Sequence, residues 1–257
     1  MSENALSSSA PTCDSFLGGR LTLRQPRRGH RAGTDAVLLA AAVPAAIPGL
    51  VLDIGSGVGA AGLAIAVLRP RVVVGLVEVD PTLASLADEN LALNKLTERG
   101  HVHVADIVDS ESRRRAGLLD GRADVVVTNP PFFDPVRARH SPDSAKRAAH
   151  VMPSCGPQPL AAWIGACIAL LAQGGLFVMI HRPEAMATIL AACKGLGGLT
   201  LLAVHPQPDK PASRILVRGR KGSRADLLLA PPLILHAGER FTPEAEAIHR
   251  GDAMLAW

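Results

Sequence analysis

Cysteine is scarce in this chain. Its four residues, Cys13, Cys155, Cys167 and Cys193, show no Cys-x-x-Cys spacing and no metal-ligand neighbours. No metal site is expected, and reduced thiols in a cytoplasmic protein are the simplest account of them. Long hydrophobic runs are missing as well. The longest apolar tract, Ala36 to Leu52, is broken by Pro44, Pro48 and Gly49, which excludes a continuous membrane-spanning helix there, and no membrane partner is expected. The first residues, MSENALSSSAPTC, lack a basic region followed by an apolar core, so no secretory signal is expected. No internal repeat is visible, and tyrosine is absent altogether. Charged residues make up only 19% of the chain against 48% hydrophobic ones, a balance that folds rather than staying disordered.

What is present begins with length. A chain of 257 residues accommodates one α/β domain with extensions and a large core. The net charge of +4 is modest, but basic residues gather at Arg24, Arg27, Arg28, His30 and Arg31, again at Arg137, Arg139, His140, Lys146 and Arg147, and again at Arg214, Arg218, Arg220, Lys221 and Arg224. Three such patches, if they converge, suit a polyanion such as nucleic acid.

Residues 1–15 read as a disordered tail, and 16–49 as a basic lead-in that ends in a helix capped at Thr34-Asp35. Residues 50–218 alternate between strand and helix periods. Strands are expected at Leu50 to Ile54, Val72 to Val77, His101 to Val104, Ala123 to Thr128, Leu176 to Ile180, Leu199 to Val204 and Arg214 to Val217. Helices are expected at Gly59 to Leu68, after Asp80-Pro81 with a buried stripe of Leu83, Leu86, Ala87 and Leu91, from Pro159 to about Ala172, and from Pro183 to Leu196. Such alternation implies a doubly wound, Rossmann-like, mostly parallel sheet of seven strands. Residues 219–257 form a C-terminal extension with a short helix capped at Thr242-Pro243.

Two stretches carry chemistry. The first expected strand runs into Asp53-Ile54-Gly55-Ser56-Gly57-Val58-Gly59. Glycines there let the backbone turn sharply and approach a ligand, with the next helix N-terminus aimed at it. The second strand ends in Glu78, placed to accept hydrogen bonds from ribose hydroxyls. Gly57 to Gly62 also matches the dinucleotide pattern G-x-G-x-x-G, so an NAD-type cofactor is an open alternative at this point. The other stretch is Thr128-Asn129-Pro130-Pro131-Phe132-Phe133. Two prolines stop the strand and hold Asn129 extended, at the strand end where open α/β sheets place ligands. This rigid corner offers an amide side chain, a proline carbonyl and an aromatic ring, which together suit a flat molecule bearing an NH2 group.

Asp53-x-Gly55-x-Gly57-x-Gly59, then Glu78, Asp106 and Asn129-Pro130-Pro131-Phe132 resemble, in order and spacing, the class I S-adenosylmethionine-dependent methyltransferases of the N-P-P-[YFW] type. With Gly33-Thr34-Asp35-Ala36-Val37-Leu38-Leu39 before the sheet, and Arg220 to Arg224 and Phe241 to Ala245 after it, the chain is more closely similar to the bacterial tRNA (adenine-N6)-methyltransferases that modify the adenosine next to the anticodon of a valine tRNA. The resemblance implies S-adenosylmethionine as cofactor, with Asp53 near its methionine end, Asp106 against its adenine, and Thr34, Gly55, Gly57, Gly59, Glu78 and Asn129 lining its site. It also implies methyl transfer to an exocyclic amino nitrogen, adenine N6 in a tRNA anticodon loop being the first expectation. Asn129, Pro130, Pro131 and Phe132 would then be catalytic: Asn129 and the Pro130 carbonyl accept from the NH2, and Phe132 stacks on the base for about 1–3 kcal/mol. Many relatives carry tyrosine where Phe132 stands. The long basic segment from Asp134 to Gly156 reads as a lid, with Arg137, Arg139, Lys146 and Arg147 against RNA. A protein glutamine N5-methyltransferase or an rRNA guanine-N2 or adenine-N6 methyltransferase would share the corner. Monomer and homodimer are both compatible with the sequence.

Overall fold

The computed structural model describes residues 11–27, 31–47, 49–131 and 159–257. It opens with an antiparallel hairpin of β1 (Thr12–Phe16) and β2 (Leu21–Gln25), in register from Thr12↔Gln25 to Phe16↔Leu21. Thr12 to Ser15, expected in a disordered tail, are therefore its outer strand. Helix α1 (Thr34–Ala41) follows, and its N-cap is Gly33 with no side-chain cap bond. The expected Thr34-Asp35 cap does not form, because Asp35 is drawn into an ion pair with Arg214, whose Nε lies 2.8 and 3.1 Å from the two carboxylate oxygens.

The alternating region then gives β3 (Gly49–Ile54), α2 (Ala60–Leu68), β4 (Val72–Glu78), α3 (Pro81–Leu93), β5 (Gly100–Val104), α4 (Ser110–Arg115) and β6 (Ala123–Thr128), followed by α5 (Pro159–Leu170), β7 (Leu171–His181), α6 (Met186–Ala192), β8 (Leu196–His205) and β9 (Arg214–Lys221). Two-residue strands β10 (Leu228–Leu229) and β11 (Leu233–Ile234) and the small hairpin of β12 (His236–Ala237) and β13 (Arg240–Phe241) lead to α7 (Pro243–Arg250). In space the sheet runs β5-β4-β3-β6-β7-β9-β8-β10, with β11 also on β8. Strands β3 to β7 are mutually parallel, and β9 is antiparallel to both β7 and β8. Seven long strands, mostly parallel and covered by helices, make the doubly wound sheet that the sequence leads one to expect.

Burial on both faces explains why the strands are continuous β-branched runs rather than alternating ones. Along β6, Val125 and Val127 join a cluster with Leu38, Leu63, Ile65 and Ile248, while Val126 joins Ile164, Phe177 and Met179 on the other face. Hairpin residues Leu21 and Leu23 and tail residues Ile248 and Leu255 share the first cluster, so lead-in, sheet and extension close over one core.

Asp80 caps α3 through its carboxylate, which accepts from Thr82 N at 2.8 Å, and Pro81 stands at the first helical position. The buried face of that helix is Ala84, Ala87, Asn90 and Leu91, with Leu83 and Leu86 only half-buried. It is turned from the expected stripe because Asn90 faces inward: its amide accepts from Arg24 N (2.7 Å) and donates to Arg24 O and Val58 O (3.0 Å each). Asn94, one turn on, grips Thr22 N and O in the same way. Helix α3 thus pairs with β2 like a mock strand, through a polar Asn90 set among the apolar residues of its buried face. Helix α4, too short and arginine-rich for an apolar stripe, is held by the Asp109 cap. Residues Leu171 to Gly175, expected to end a helix, extend β7, and the helix expected from Pro183 is a 3-10 turn (Pro183–Ala185) followed by the shorter α6.

Candidate active site

Strands β3, β4 and β5 wind one way from the middle of the sheet, and β6 and β7 the other. The crevice between β3 and β6 is the topological switch point, where such sheets bind ligands beyond their carboxyl ends. Ile54 and Thr128 are register partners there, so Gly55 and Asn129 leave the sheet side by side although far apart in sequence. A cavity of about 460 Å3 opens at this point, within the roughly 300–1,000 Å3 usual for small-molecule sites.

One wall is the glycine loop. Gly55, Gly57 and Gly59 hold φ of 71°, 56° and 87°, left-handed values that strain any residue with a Cβ. Gly55 N and Ser56 N both donate to Val77 O (2.9 and 3.0 Å), and Gly57 N donates to Glu78 Oε2 at 2.8 Å. Glu78 Oε1 accepts from Val79 N (2.8 Å) and Asp80 N (3.0 Å). Three amides fill three of the roughly four acceptor positions of a carboxylate, leaving one for a ligand. Asp106, on the loop after β5, holds Val108 N through Oδ1 at 2.9 Å, and its own N donates to Ser112 Oγ at 3.0 Å. Both Glu78 and Asp106 line the cavity.

Asp53 is 3% exposed, and its Oδ2 accepts from Gly62 N at 2.8 Å. Burial pushes its carboxyl up to about 7, the nearby Glu78 charge adds to the rise, and the Gly62 amide opposes it. Gly62 is glycine for packing: a Cβ there would lie 2.3 Å from Leu76 Cδ2 and 3.2 Å from Asp53 Oδ2. The last glycine of the G-x-G-x-x-G pattern therefore seats α2 on the sheet. A pH dependence follows. The native carboxyl keeps its proton up to about pH 7, and the unfolded one loses it near its ordinary 3.8, so the native state binds more protons in between and stability falls as pH rises through that window. Asp53→Asn should lack this slope. Measured without cofactor, its melting temperature should gain on the wild type between pH 5 and pH 8, and a difference that stays constant would contradict the assignment.

The opposite wall is the corner after β6. Asn129 is half-buried, and its Oδ1 is fully buried with no hydrogen-bond partner among the described residues. A buried acceptor left unmade costs about 1–3 kcal/mol, an arrangement expected where a ligand supplies the missing donor. Pro130 is buried and Pro131 exposed, and both line the cavity. Phe132, Arg137, Arg139, Lys146 and Arg147 lie outside the described residues.

The cavity brings together Asp53, Gly55, Gly57, Glu78, Asp106, Asn129, Pro130 and Pro131. Gly59 sits just behind it as the left-handed N-cap of α2. Thr34 does not belong to it: its hydroxyl lies 3.1 Å from His249 Nε2, facing a separate groove beside α7. The apolar roof of Ala32, Ala36 and Leu39, and Ser56, Trp163 and Arg182, complete the lining; Ala36, Leu39 and Ser56 stand inside motif stretches, while Ala32, Trp163 and Arg182 carry no motif and escape sequence reading. Of the three basic patches, the one from Arg137 to Arg147 lies outside the described residues, and several side chains of the other two make local contacts. Arg24 pairs with Glu89 and Arg31 with Asp14, each at 2.7 Å. Arg218, Arg220 and Lys221, far along β9, donate to Trp257 O (2.6 Å), Gly174 O (3.1 Å) and Leu171 O (2.7 Å). Among the described residues, no group of three or more His, Cys, Asp or Glu is placed to hold a metal ion, and no helix is long and apolar enough to cross a membrane.

Residues 31–147 match the family model of the methyltransferase small domain. The tRNA1(Val) (adenine(37)-N6)-methyltransferase of Yersinia pestis (strain Pestoides F) is 31% identical over 209 residues, covering 78% of this chain and 80% of that protein. A crystal structure from Agrobacterium tumefaciens, described as a predicted O-methyltransferase, is 32% identical and superposes with a TM-score of 0.72 over 87% of this chain and 99% of that one. M. jannaschii TYW2 in complex with AdoMet, 14% identical, shares the fold at a TM-score of 0.57 over 85% of this chain and 89% of that one. The chain belongs to this family: it is an S-adenosylmethionine-dependent N-methyltransferase of the type with an Asn-Pro-Pro-Phe corner, alongside the tRNA1(Val) (adenine(37)-N6)-methyltransferases.

Proposed function

We propose that the protein methylates an exocyclic amino nitrogen of a nucleobase, adenine N6 in the anticodon loop of a tRNA. The observation that carries this reading is the buried Asn129 Oδ1 on the cavity wall, without a hydrogen-bond partner among the described residues and open to an N–H. The corner alone would accept any planar NH2, including guanine N2 or a glutamine amide. The likeness to a protein named for adenine in tRNA favours the nucleobase.

The residues present fit S-adenosylmethionine. Glu78, with one acceptor position open, suits the ribose hydroxyls. The side-chain-free Gly55 and Gly57 admit close approach, and Asp106, on the cavity wall, would meet the adenine. That cofactor supplies a methyl group on a sulfonium, a leaving group needing no further activation. The chain's task is therefore mostly alignment, which can be worth several kcal/mol. Asn129 Oδ1 and the Pro130 carbonyl would accept the two N–H bonds of the target, turning its lone pair toward the methyl. The same two oxygens would stabilise the positive charge that develops on nitrogen. Phe132 would stack on the base, which must be splayed out of the RNA to reach a crevice this deep.

Radiolabelled methyl transfer to unmodified total tRNA tests the proposal: ribonuclease should release the label and protease should not, and the reverse would assign a protein substrate. A second expectation concerns the basic segment after the corner. Arg137→Ala with Arg139→Ala should lower the slope of log affinity against log salt by about 1.5–2, as for two lost phosphate contacts. An unchanged slope in a filter-binding titration would remove that segment from RNA binding.

A further inference from the structure

Trp163 of α5 is 7% exposed, and its indole Nε1 donates to Thr128 Oγ1 at 2.9 Å. The Thr128 hydroxyl in turn donates to Ile54 O, also at 2.9 Å. A hydroxyl has one proton, so with that proton on Ile54 O its lone pairs are left to accept from the indole, and the two bonds are mutually consistent. Thr128 immediately precedes Asn129, and Ile54 immediately precedes Gly55. The ring itself lies against the loop: a Cβ on Gly55 would come within 2.9 Å of Trp163 Cζ2. Trp163 also lines the cavity. One side chain thus touches the glycine loop by packing and the acceptor corner by a hydrogen bond, on the two strands that flank the switch point.

We infer that Trp163, acting through Thr128, is a positioning residue that sets the spacing between the cofactor loop and the Asn129 corner. The inference rests on the reading of Asn129 as acceptor of the target NH2. In-line transfer needs the two walls held to a fraction of an ångström, since a misplacement of about 1 Å can cost about 100-fold in rate. Packing alone would hold α5 on the sheet without the Nε1–Thr128–Ile54 chain, and a buried indole N–H could be satisfied by other acceptors. The chain of bonds instead joins the residues next to both reacting walls.

The test uses Trp163→Phe, Thr128→Val and Thr128→Ser. Trp163→Phe and Thr128→Val should each lower kcat about tenfold. For Thr128→Val, at a residue that is not part of the cavity lining, the Kd for S-adenosylhomocysteine by calorimetry stays within about twofold, as for a hydrogen bond that does not touch the ligand. Thr128→Ser, which keeps the hydroxyl, should stay near wild type. The double variant Trp163→Phe with Thr128→Val should be no slower than the slower single one, because both remove one linkage. Unchanged kcat in the folded variants would overturn the inference, and so would a loss of cofactor affinity in Thr128→Val matching its loss of kcat. A readout without turnover comes from Trp257→Phe, which leaves Trp163 as the one tryptophan in the chain. Its emission should shift on Thr128→Val and not on Thr128→Ser, and no shift on Thr128→Val contradicts the linkage. A wild-type protein that turns over no amino acceptor contradicts the reading of the corner instead, and the emission experiment then decides the linkage by itself.

Discussion

Asn129→Ala is expected to lower kcat by about 10²–10³-fold, the loss usual when one preorganised group facing developing charge is removed. The substitution takes away a buried acceptor that has no hydrogen-bond partner among the described residues. It also removes a penalty from the unloaded protein, so thermal stability should hold or rise slightly. Affinity for the cofactor should fall by about tenfold at most, the scale of a single hydrogen bond, because the Gly57 and Glu78 contacts that shape the loop remain. Single-turnover rates at saturating cofactor and RNA, set beside calorimetric binding of S-adenosylhomocysteine, separate the two effects. Parallel losses in rate and binding would make Asn129 a wall of the cofactor site and leave the corner without its chemical role.

Glu78→Ala should act the other way round. Affinity for S-adenosylhomocysteine should fall by about 10–10²-fold, because the change would remove the one charge-assisted hydrogen bond that the carboxylate has free for the ribose, worth about 1.5–3 kcal/mol. It also releases the amides of Gly57, Val79 and Asp80, all held by this one carboxylate. The loop then loses the clamp between its second glycine and the end of β4, so the apo protein should melt earlier as well. At saturating cofactor most of kcat should return, since no group facing the target nitrogen has changed. Glu78→Gln keeps an oxygen for part of this set and should lose less. A Kd within about twofold of wild type in Glu78→Ala, below the value of even one charged hydrogen bond, would reduce Glu78 to a structural brace.

The elements that local chemistry dictates were the readable ones. Val125-Val126-Val127 is buried on both faces, and Pro130-Pro131 must end the strand it makes. Asp80-Pro81 can hardly do other than start a helix. Glycines at 55, 57 and 59 announce a turn that only glycine tolerates. What escaped depends on side chains meeting across the fold. Nothing near Trp163 marks it as the neighbour of Gly55 and Thr128, because only the pairing of β3 with β6 brings those two together. Asn90 breaks the apolar period of α3 in order to grip Arg24, and no rule of periodicity foresees a polar core position. Arginines counted along the chain do not show their partners: Arg24 pairs with Glu89 and Arg31 with Asp14, each across the fold or the hairpin. Thr34 looked like a cap and a cofactor neighbour, but its hydroxyl meets His249 from the far end of the sequence. A motif names the residue types a site needs, and topology decides which of them arrive.

Digesting labelled tRNA to nucleosides after reaction with the wild-type protein, and identifying the labelled species by mass and retention, decides whether the methyl group goes to an amino nitrogen of a base. We expect N6-methyladenosine. Label recovered as a 2′-O-methylated nucleoside would contradict this, since a ribose hydroxyl has a single O–H and leaves the second acceptor, the Pro130 carbonyl, without a donor.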